Sequence, residues 1–290
     1  MAKPTKSVQS VKVRRVRGGR SERIKDWVTI EEPLEIRVAL PGVPRGPGRS
    51  ATPAGVRSIA VTMRTPGNDF ELAAGFLATE GVLRSRHDIT EITYCRSGEG
   101  GQEYNIVEVR LRSADGVDLD RLSRNVFTSS SCGVCGKASL EAVEVQGCRP
   151  LPGDTLAVTA EVLRELPDRL RDAQGDFTRT GGLHAAGLFT AGGEIVSVHE
   201  DVGRHNAVDK VVGEAFLAGR LPLLERILVV SGRTSFEILQ KAVVAGIPAV
   251  VAVGAPSSLA VDLAERFNMT LAGFVRDGGY NVYAGEGRIS

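Results

Sequence analysis

The sequence predicts an α/β fold, and three features of its C-terminal part carry that prediction. Short, almost wholly apolar runs recur at residues 226–230, 247–253 and 271–275. Stretches with helical spacing stand between them, and the junctions are only a few residues long. Parallel strands are buried on both faces and read as continuous apolar runs, so strand, helix, strand, helix, strand with short loops implies a parallel sheet covered by helices.

The first run ends at Ser231-Gly232, a strand-to-loop break. Thr234 and Glu237 stand at capping-box spacing, which opens a helix through Ile238, Leu239, Ala242 and Val243. Gly246 is placed to stop it. The strand at 247–253 contains Pro248, and Ser257 or Ser258 then caps a second helix with Leu259, Leu263 and Phe267 on one face. A third strand at 271–275 is followed by a turn and a last strand at 280–283. Ligands of such sheets favour the crevice beyond the carboxyl ends of the strands. Here those ends are Ser231-Gly232-Arg233, Gly254-Ala255-Pro256-Ser257 and Arg276-Asp277-Gly278-Gly279.

Residues 25–124 read as a smaller α+β domain. Leu34-Glu35-Ile36-Arg37-Val38 alternates as a half-buried strand does, and 58–64 and 106–111 are further strand candidates. Asn68 or Asp69 is placed to cap a helix that runs through Leu72 and Leu77 and ends near Gly81. Residues 41–53, dense in Gly, Pro and Arg, read as an exposed loop, and 115–125 as a connector to the second domain, 125–290. Residues 1–24 read as a disordered, solvated tail; its Lys3, Lys6, Lys12, Arg14, Arg15, Arg17 and Arg20 could alternatively form a basic arm.

With 290 residues the chain can bury a core without disulfides or metals, and a net charge of +1 gives it no overall pull towards nucleic acid or membrane. No run approaches the roughly 20 apolar residues of a membrane span. The N-terminus lacks the apolar centre of an export signal, so a cytoplasmic location is expected. There, thiols stay reduced, and a close cysteine pair is more often catalytic or metal-binding than structural.

Such a pair stands in Ser131-Cys132-Gly133-Val134-Cys135-Gly136-Lys137. One turn can bring both sulfurs to one site, the glycines allow a tight backbone, and Lys137 is near enough to favour thiolate over thiol. A thiolate is the nucleophile needed to accept a sulfur atom or attack a disulfide. Three other readings compete: half of a zinc site, though Cys95 and Cys148 are single; a thioredoxin-like redox pair, though the Ser- and Gly-rich flanks differ; and inert buried cysteines.

Three of the four histidines fall in two polar segments, Gly182-Leu183-His184-Ala185 and the run from His199 to Lys210. The second holds His199, Glu200, Asp201, Arg204, His205, Asn206, Asp209 and Lys210, with His205 and Asp209 at helical spacing. It reads as a site in which Arg204 and Lys210 contact an anion and His199 or Glu200 handles protons. The plainer alternative is a capped helix start with a satisfied hydrogen-bond network. A histidine-glutamate pair near Cys-x-x-Cys also suggests a zinc deaminase, but the order is reversed and the residue between His and Glu is missing.

Together these segments resemble the FdhD family of formate dehydrogenase accessory sulfurtransferases. The likeness rests on Arg64-Thr65-Pro66-Gly67-Asn68-Asp69-Phe70-Glu71-Leu72, on Cys132-Gly133-Val134-Cys135-Gly136-Lys137, on Gly182 to Ala186, on His199 to Lys210, on Ser231-Gly232-Arg233 and on Asn268 to Phe274, in that order. The resemblance implies a cytidine-deaminase-like C-terminal domain with a smaller N-terminal one, assembled as a homodimer. It implies a carrier that takes sulfur from a cysteine desulfurase as a persulfide on Cys132, with Cys135 assisting or resolving. The sulfur then passes to the molybdenum of the bis-molybdopterin guanine dinucleotide cofactor, which serves formate dehydrogenase. Phe274, Val275, Arg276, Asp277, Gly278 and Gly279 lie where the family contacts that cofactor, and His199, Arg204 and His205 are further candidates. No intrinsic metal, nucleic acid or membrane partner is expected. The rivals are a zinc-dependent deaminase-type hydrolase and a cofactor-binding chaperone that moves no sulfur.

Overall fold

The computed structural model describes residues 6–43, 55–95, 104–114 and 148–290. The cysteine pair, the expected connector and the boundary between the two expected domains lie outside them, as does most of the loop expected at 41–53.

The first element corrects the sequence reading. Residues expected to be a disordered tail form β1 (Val8–Arg17), paired antiparallel with β2 (Arg20–Thr29) in one continuous register. Gly18 and Gly19 both have positive φ, +54° and +79°, as the commonest two-residue hairpin turn demands. Valine alternates with lysine and arginine along β1, and full pairing of the backbone outweighs the density of charge.

The N-terminal half is a four-stranded sheet of order β4-β3-β6-β5, made of β3 (Glu32–Ala39), β4 (Val56–Arg64), β5 (Ile89–Tyr94) and β6 (Ile106–Leu111). Leu34, Ile36 and Val38 point inward at period two and meet Leu72 and Leu77 of α1 (Asp69–Thr79). Asn68 does occupy the N-cap position, but at φ 56° and with no side-chain cap bond. The Asp69 carboxylate turns instead to the buried Arg64 guanidinium, which donates two hydrogen bonds of 3.1 and 3.0 Å.

The C-terminal half is a six-stranded sheet of order β12-β11-β10-β9-β7-β8. Its strands are β7 (His184–Phe189), β8 (Ile195–Asp201), β9 (Ile227–Val230), β10 (Ala249–Ala252), β11 (Thr270–Arg276) and β12 (Gly279–Ala284). β9, β10 and β11 are parallel, as expected, whereas β7 and β12 run antiparallel to their neighbours. Alternation sorts the β9 side chains into two cores. Ile227 and Val229 face α2 (Ala160–Asp172), while Leu228 and Val230 face α4 (Arg204–Leu217), α5 (Phe236–Ala245) and α6 (Ser258–Arg266). A short helix, α3 (Gly175–Thr180), precedes β7. The expected α/β architecture with a smaller α+β part is therefore present.

Two expected helix starts behave differently. Ser257 caps α6, its side chain accepting from the Ala260 amide. The capping box before α5 is absent. Ser235 takes the N-cap position without a side-chain bond, and Glu237 turns to His205 instead.

The halves meet where α1 crosses α4. A Cβ added at Gly75 would lie 1.8 Å from the Asp209 carbonyl oxygen, and one at Gly213 1.8 Å from that of Glu71. Only glycine permits this backbone-to-backbone approach.

Candidate functional site

The strands deliver their polar ends to one edge of the C-terminal sheet. β8 runs parallel to β9, so Asp201 at its end, His184 at the start of β7, and the loops after β9, β10 and β11 share that edge. The edge is paved with main chain. The Gly254 amide donates to the Gly232 carbonyl at 3.1 Å, and the Phe274 amide to the Gly254 carbonyl at 3.1 Å. A side chain at Gly254 would meet the Arg233 backbone at 3.0 Å.

His184, Arg204 and His205 cluster at one end of this edge. The His184 ring packs on Gly232, 3.4 Å from where a Cβ would stand. Burial, with the nearby Arg204 guanidinium and His205 ring, pushes the His184 imidazole below its ordinary value. His205 Nε2 lies 3.1 Å from Ser235 Oγ and 2.8 Å from Glu237 Oε2. Its hydrogen bond to His205 holds the Glu237 carboxyl below the usual range. Arg204 Nε and Thr234 Oγ are buried without a hydrogen-bond partner among the described residues. The Ser231 hydroxyl accepts from the Ala185 amide at 2.9 Å and fixes the loop after β9.

Other members of the polar run serve the fold. Lys210, expected to contact an anion, is buried; its ammonium lies 2.7 Å from Asp201 and donates to the carbonyls of Thr65 and Glu200. Asp201 also accepts from the amides of Thr65 and Gly203 and from the Asn206 side chain. Glu200, a candidate proton carrier, accepts from the Asp176 and Phe177 amides and caps α3. Asp209 pairs with the buried Lys241 at 2.8 Å and accepts from Thr79. His199 reaches Glu214, one turn beyond Lys210, at 2.7 Å. It therefore ties β8 to α4 rather than joining His205. The sequence cannot separate these roles because their partners, Thr65, Thr79 and Lys241, are remote in the chain.

The stretch from Phe274 to Gly279 lies at the other end of the edge. Four strand spacings of about 4.8 Å separate it from β8, roughly 19 Å in all. Asp277 and Gly278 have φ 53° and 76° and form the two-residue turn between β11 and β12. Phe274, at φ 52°, is partly exposed, and the Arg276 guanidinium stands 5.6 Å over its ring. Arg276, Asp277, Gly278 and Gly279 face solvent, but the Val275 side chain is fully buried in the core against α2. Only its backbone can touch a ligand.

A model of the FdhD/NarQ family matches residues 53–290. The chain belongs to the FdhD/NarQ family. Among FdhD/NarQ relatives, the sulfur carrier protein FdhD of Streptomyces coelicolor is 53% identical over 96% of this chain and 94% of its own. That of Sulfolobus acidocaldarius is 42% identical over 97% and 98%. The crystal structure of a protein assigned as a formate dehydrogenase accessory protein from Desulfotalea psychrophila superposes with a TM-score of 0.72 at 26% identity, covering 98% of this chain and all of that one.

In this FdhD/NarQ chain, the run from His199 to Lys210 thus divides in two. Asp201, Asn206, Asp209 and Lys210 bind the halves together, while Arg204 and His205 are left at the edge. Sequence reasoning gave His184 no role and missed Ser235 and Glu237, because their proximity depends on strand order. Cys132 and Cys135 lie outside the described residues. Among those residues, no group of three or more His, Cys, Asp and Glu side chains is placed to hold a metal, and no helix is long and apolar enough to cross a membrane.

Proposed function

We propose that this chain is a cytoplasmic sulfur carrier that serves formate dehydrogenase. The observation that carries the reading is its likeness, over almost the whole of both chains, to relatives named as sulfur carriers. The Cys132-Gly133-Val134-Cys135 motif supplies the chemistry. The Cys132 thiolate attacks the terminal sulfur of a cysteine desulfurase persulfide. A sulfur–sulfur bond forms on Cys132, and the donor cysteine leaves as thiolate. Cys135 thiolate then attacks Sγ of Cys132. This forms a disulfide and expels the terminal sulfur as hydrosulfide, which keeps the electron pair and becomes a ligand of the client molybdenum. A dithiol reductant resets the pair.

The substrate on this reading is the bis-molybdopterin guanine dinucleotide form of the molybdenum cofactor, a large polyanion. The edge suits it in size and charge. Arg276 and the Gly278-Gly279 backbone at one end, and Arg204 with the His184–His205 pair at the other, offer cations and amides over a nucleotide-sized span. His184, its imidazole pushed below the ordinary value by burial, favours the neutral ring, which accepts or donates without adding charge.

Intact-mass measurement after incubation with a cysteine desulfurase and cysteine tests the reading. The unmodified chain gains one sulfur atom, and Cys132→Ala does not. A chain that gains no sulfur while still binding the cofactor would leave only a chaperone role.

A further inference from the structure

Delivery of sulfur leaves a proton to be placed. Hydrosulfide that becomes a sulfide ligand loses its hydrogen. The S–H bond breaks, its electron pair stays on sulfur, a metal–sulfur bond forms, and an N–H or O–H bond forms on the base that takes the proton. Nothing is oxidised or reduced in this step. The sequence offers His199 or Glu200 as proton carriers, but the fold engages both elsewhere, His199 on Glu214 and Glu200 on the amides before α3. His184 is a poor acceptor, because burial and its cationic neighbours disfavour a second proton on its ring.

His205 is built differently. It lies in the first turn of α4, and its side chain is 32% exposed. Nε2 stands 2.8 Å from Glu237 Oε2 and 3.1 Å from Ser235 Oγ. The Glu237 carboxyl is held below the usual range, and a carboxylate can only accept. Nε2 therefore carries the hydrogen, with the Ser235 oxygen as a second acceptor within reach. In the neutral ring the lone pair then sits on Nδ1, which has no hydrogen-bond partner among the described residues. A proton taken there is answered by Glu237, as when a carboxylate orients a catalytic imidazole.

Two observations set this pair apart from an incidental surface contact. Ser235 and Glu237 stand where they could cap α5 and do not, so local structure gives way to His205. One turn further along both helices, the buried Lys241 donates to Asp209 at 2.8 Å and to Thr79 at 3.1 Å. That inner rung fixes the spacing of α4 and α5 and so presets the outer one. The groups facing the ring are Glu237 and Ser235, Arg204 beside it on α4, His184 from β7, and the Asp209–Lys241 pair beneath. We infer that His205 takes the proton of the delivered hydrosulfide through Nδ1, and that Glu237 is its positioning residue. The inference rests on the sulfur-carrier reading above.

The test follows two readouts on the full chain. Loading is read by intact mass, and delivery by the rate at which the loaded chain activates formate dehydrogenase supplied with unsulfurated cofactor. His205→Gln should lower the maximal delivery rate about a hundredfold, and Glu237→Gln at least about tenfold, with the half-saturating cofactor concentration unchanged. Glu237→Asp should recover part of the rate. The double variant should be no slower than His205→Gln, because Glu237 acts only through the ring. Thermal unfolding checks that each variant folds. Nitrogen chemical shifts of the unmodified chain, with the ring neutral, should place the His205 hydrogen on Nε2. A hydrogen on Nδ1, parental delivery by Glu237→Gln, or a double variant slower than His205→Gln would overturn the inference. A parent that gains no sulfur would overturn the carrier reading itself and this inference with it.

Discussion

Lys210 of α4 places its ammonium 2.7 Å from the carboxylate of Asp201, the last residue of β8, and both side chains are almost wholly buried. Thr65, from the other half of the chain, completes the cluster by donating its amide to Asp201 and accepting from Lys210 through its carbonyl. Removing one partner leaves a buried, uncompensated charge. Lys210→Met should therefore cost about 3–5 kcal/mol, read as a lower urea midpoint with an unchanged slope. Lys210→Met with Asp201→Asn should recover part of the loss. A variant as stable as the parent would mean that the pair is solvated.

Gly75→Ala and Gly213→Ala test the helix crossing. Each adds a methyl group where a backbone carbonyl already stands. Overpacking of this kind costs roughly 1–3 kcal/mol, and α1 and α4 must separate to accept it. Thermal unfolding of each single variant checks the size of the loss. The double variant should lose less than the two single losses together, because separating the helices once relieves both clashes.

The pH dependence of stability should carry the signature of His184. Its imidazole is neutral in the folded chain at pH values where the unfolded chain has begun to take up a proton. Between the lowered folded value and the ordinary value of 6.5, the unfolded state binds more protons, so acid favours unfolding. Stability should fall as pH drops through that window and be flat in this respect above it. His184→Gln should be less sensitive than the parent across the same window in urea titrations. An identical slope in both would show that His184 is not responsible.

Arg276 is exposed, and among the described residues its side chain meets the Phe274 ring and approaches Asp277 at 4.0 Å. Arg276→Ala should leave the unfolding midpoint within about 0.5 kcal/mol of the parent. If the β11–β12 turn takes the phosphate end of a guanine dinucleotide, the same change should weaken binding of guanosine diphosphate several-fold. Calorimetric titration separates the two effects. Unchanged affinity would remove this turn from the proposed substrate site.

Cys135→Ala separates loading from release. The variant should still take up sulfur on Cys132 but hold it, because no neighbouring thiolate remains to expel hydrosulfide. Persulfide lifetime under a thiol-free chase, followed by mass, checks this. Release at the parental rate would show that Cys135 does not expel the sulfur.

The C-terminal strands and helices were legible because their signals are local. Gly246 ends α5 and Ser257 caps α6 where the sequence places them. The hairpin was misread although its own signal was present: Val11 and Val13 alternate with charge, and Gly18-Gly19 is a turn dipeptide. Net charge argued for a solvated tail, and the pairing pattern won. The polar run after β8 was recognised as important but not divided correctly. Lys210 and Arg204 are both cations on one helix, and the fold packs Thr65 and Asp201 around the first and leaves the second at the edge. The failed capping box before α5 has the same cause, because Glu237 has a better partner in His205, thirty-two residues earlier in the chain.

The crossing of α1 on α4 leaves no clearance at Gly75 and Gly213. With main chain against main chain, the two halves have nothing to slide upon. Packed helices that shear past one another do so on interdigitating side chains, and at these two glycines that bearing is missing. A change in the angle between the halves would meet its stiffest resistance at this point. The crossing thus fixes the frame from which the strand-end loops extend.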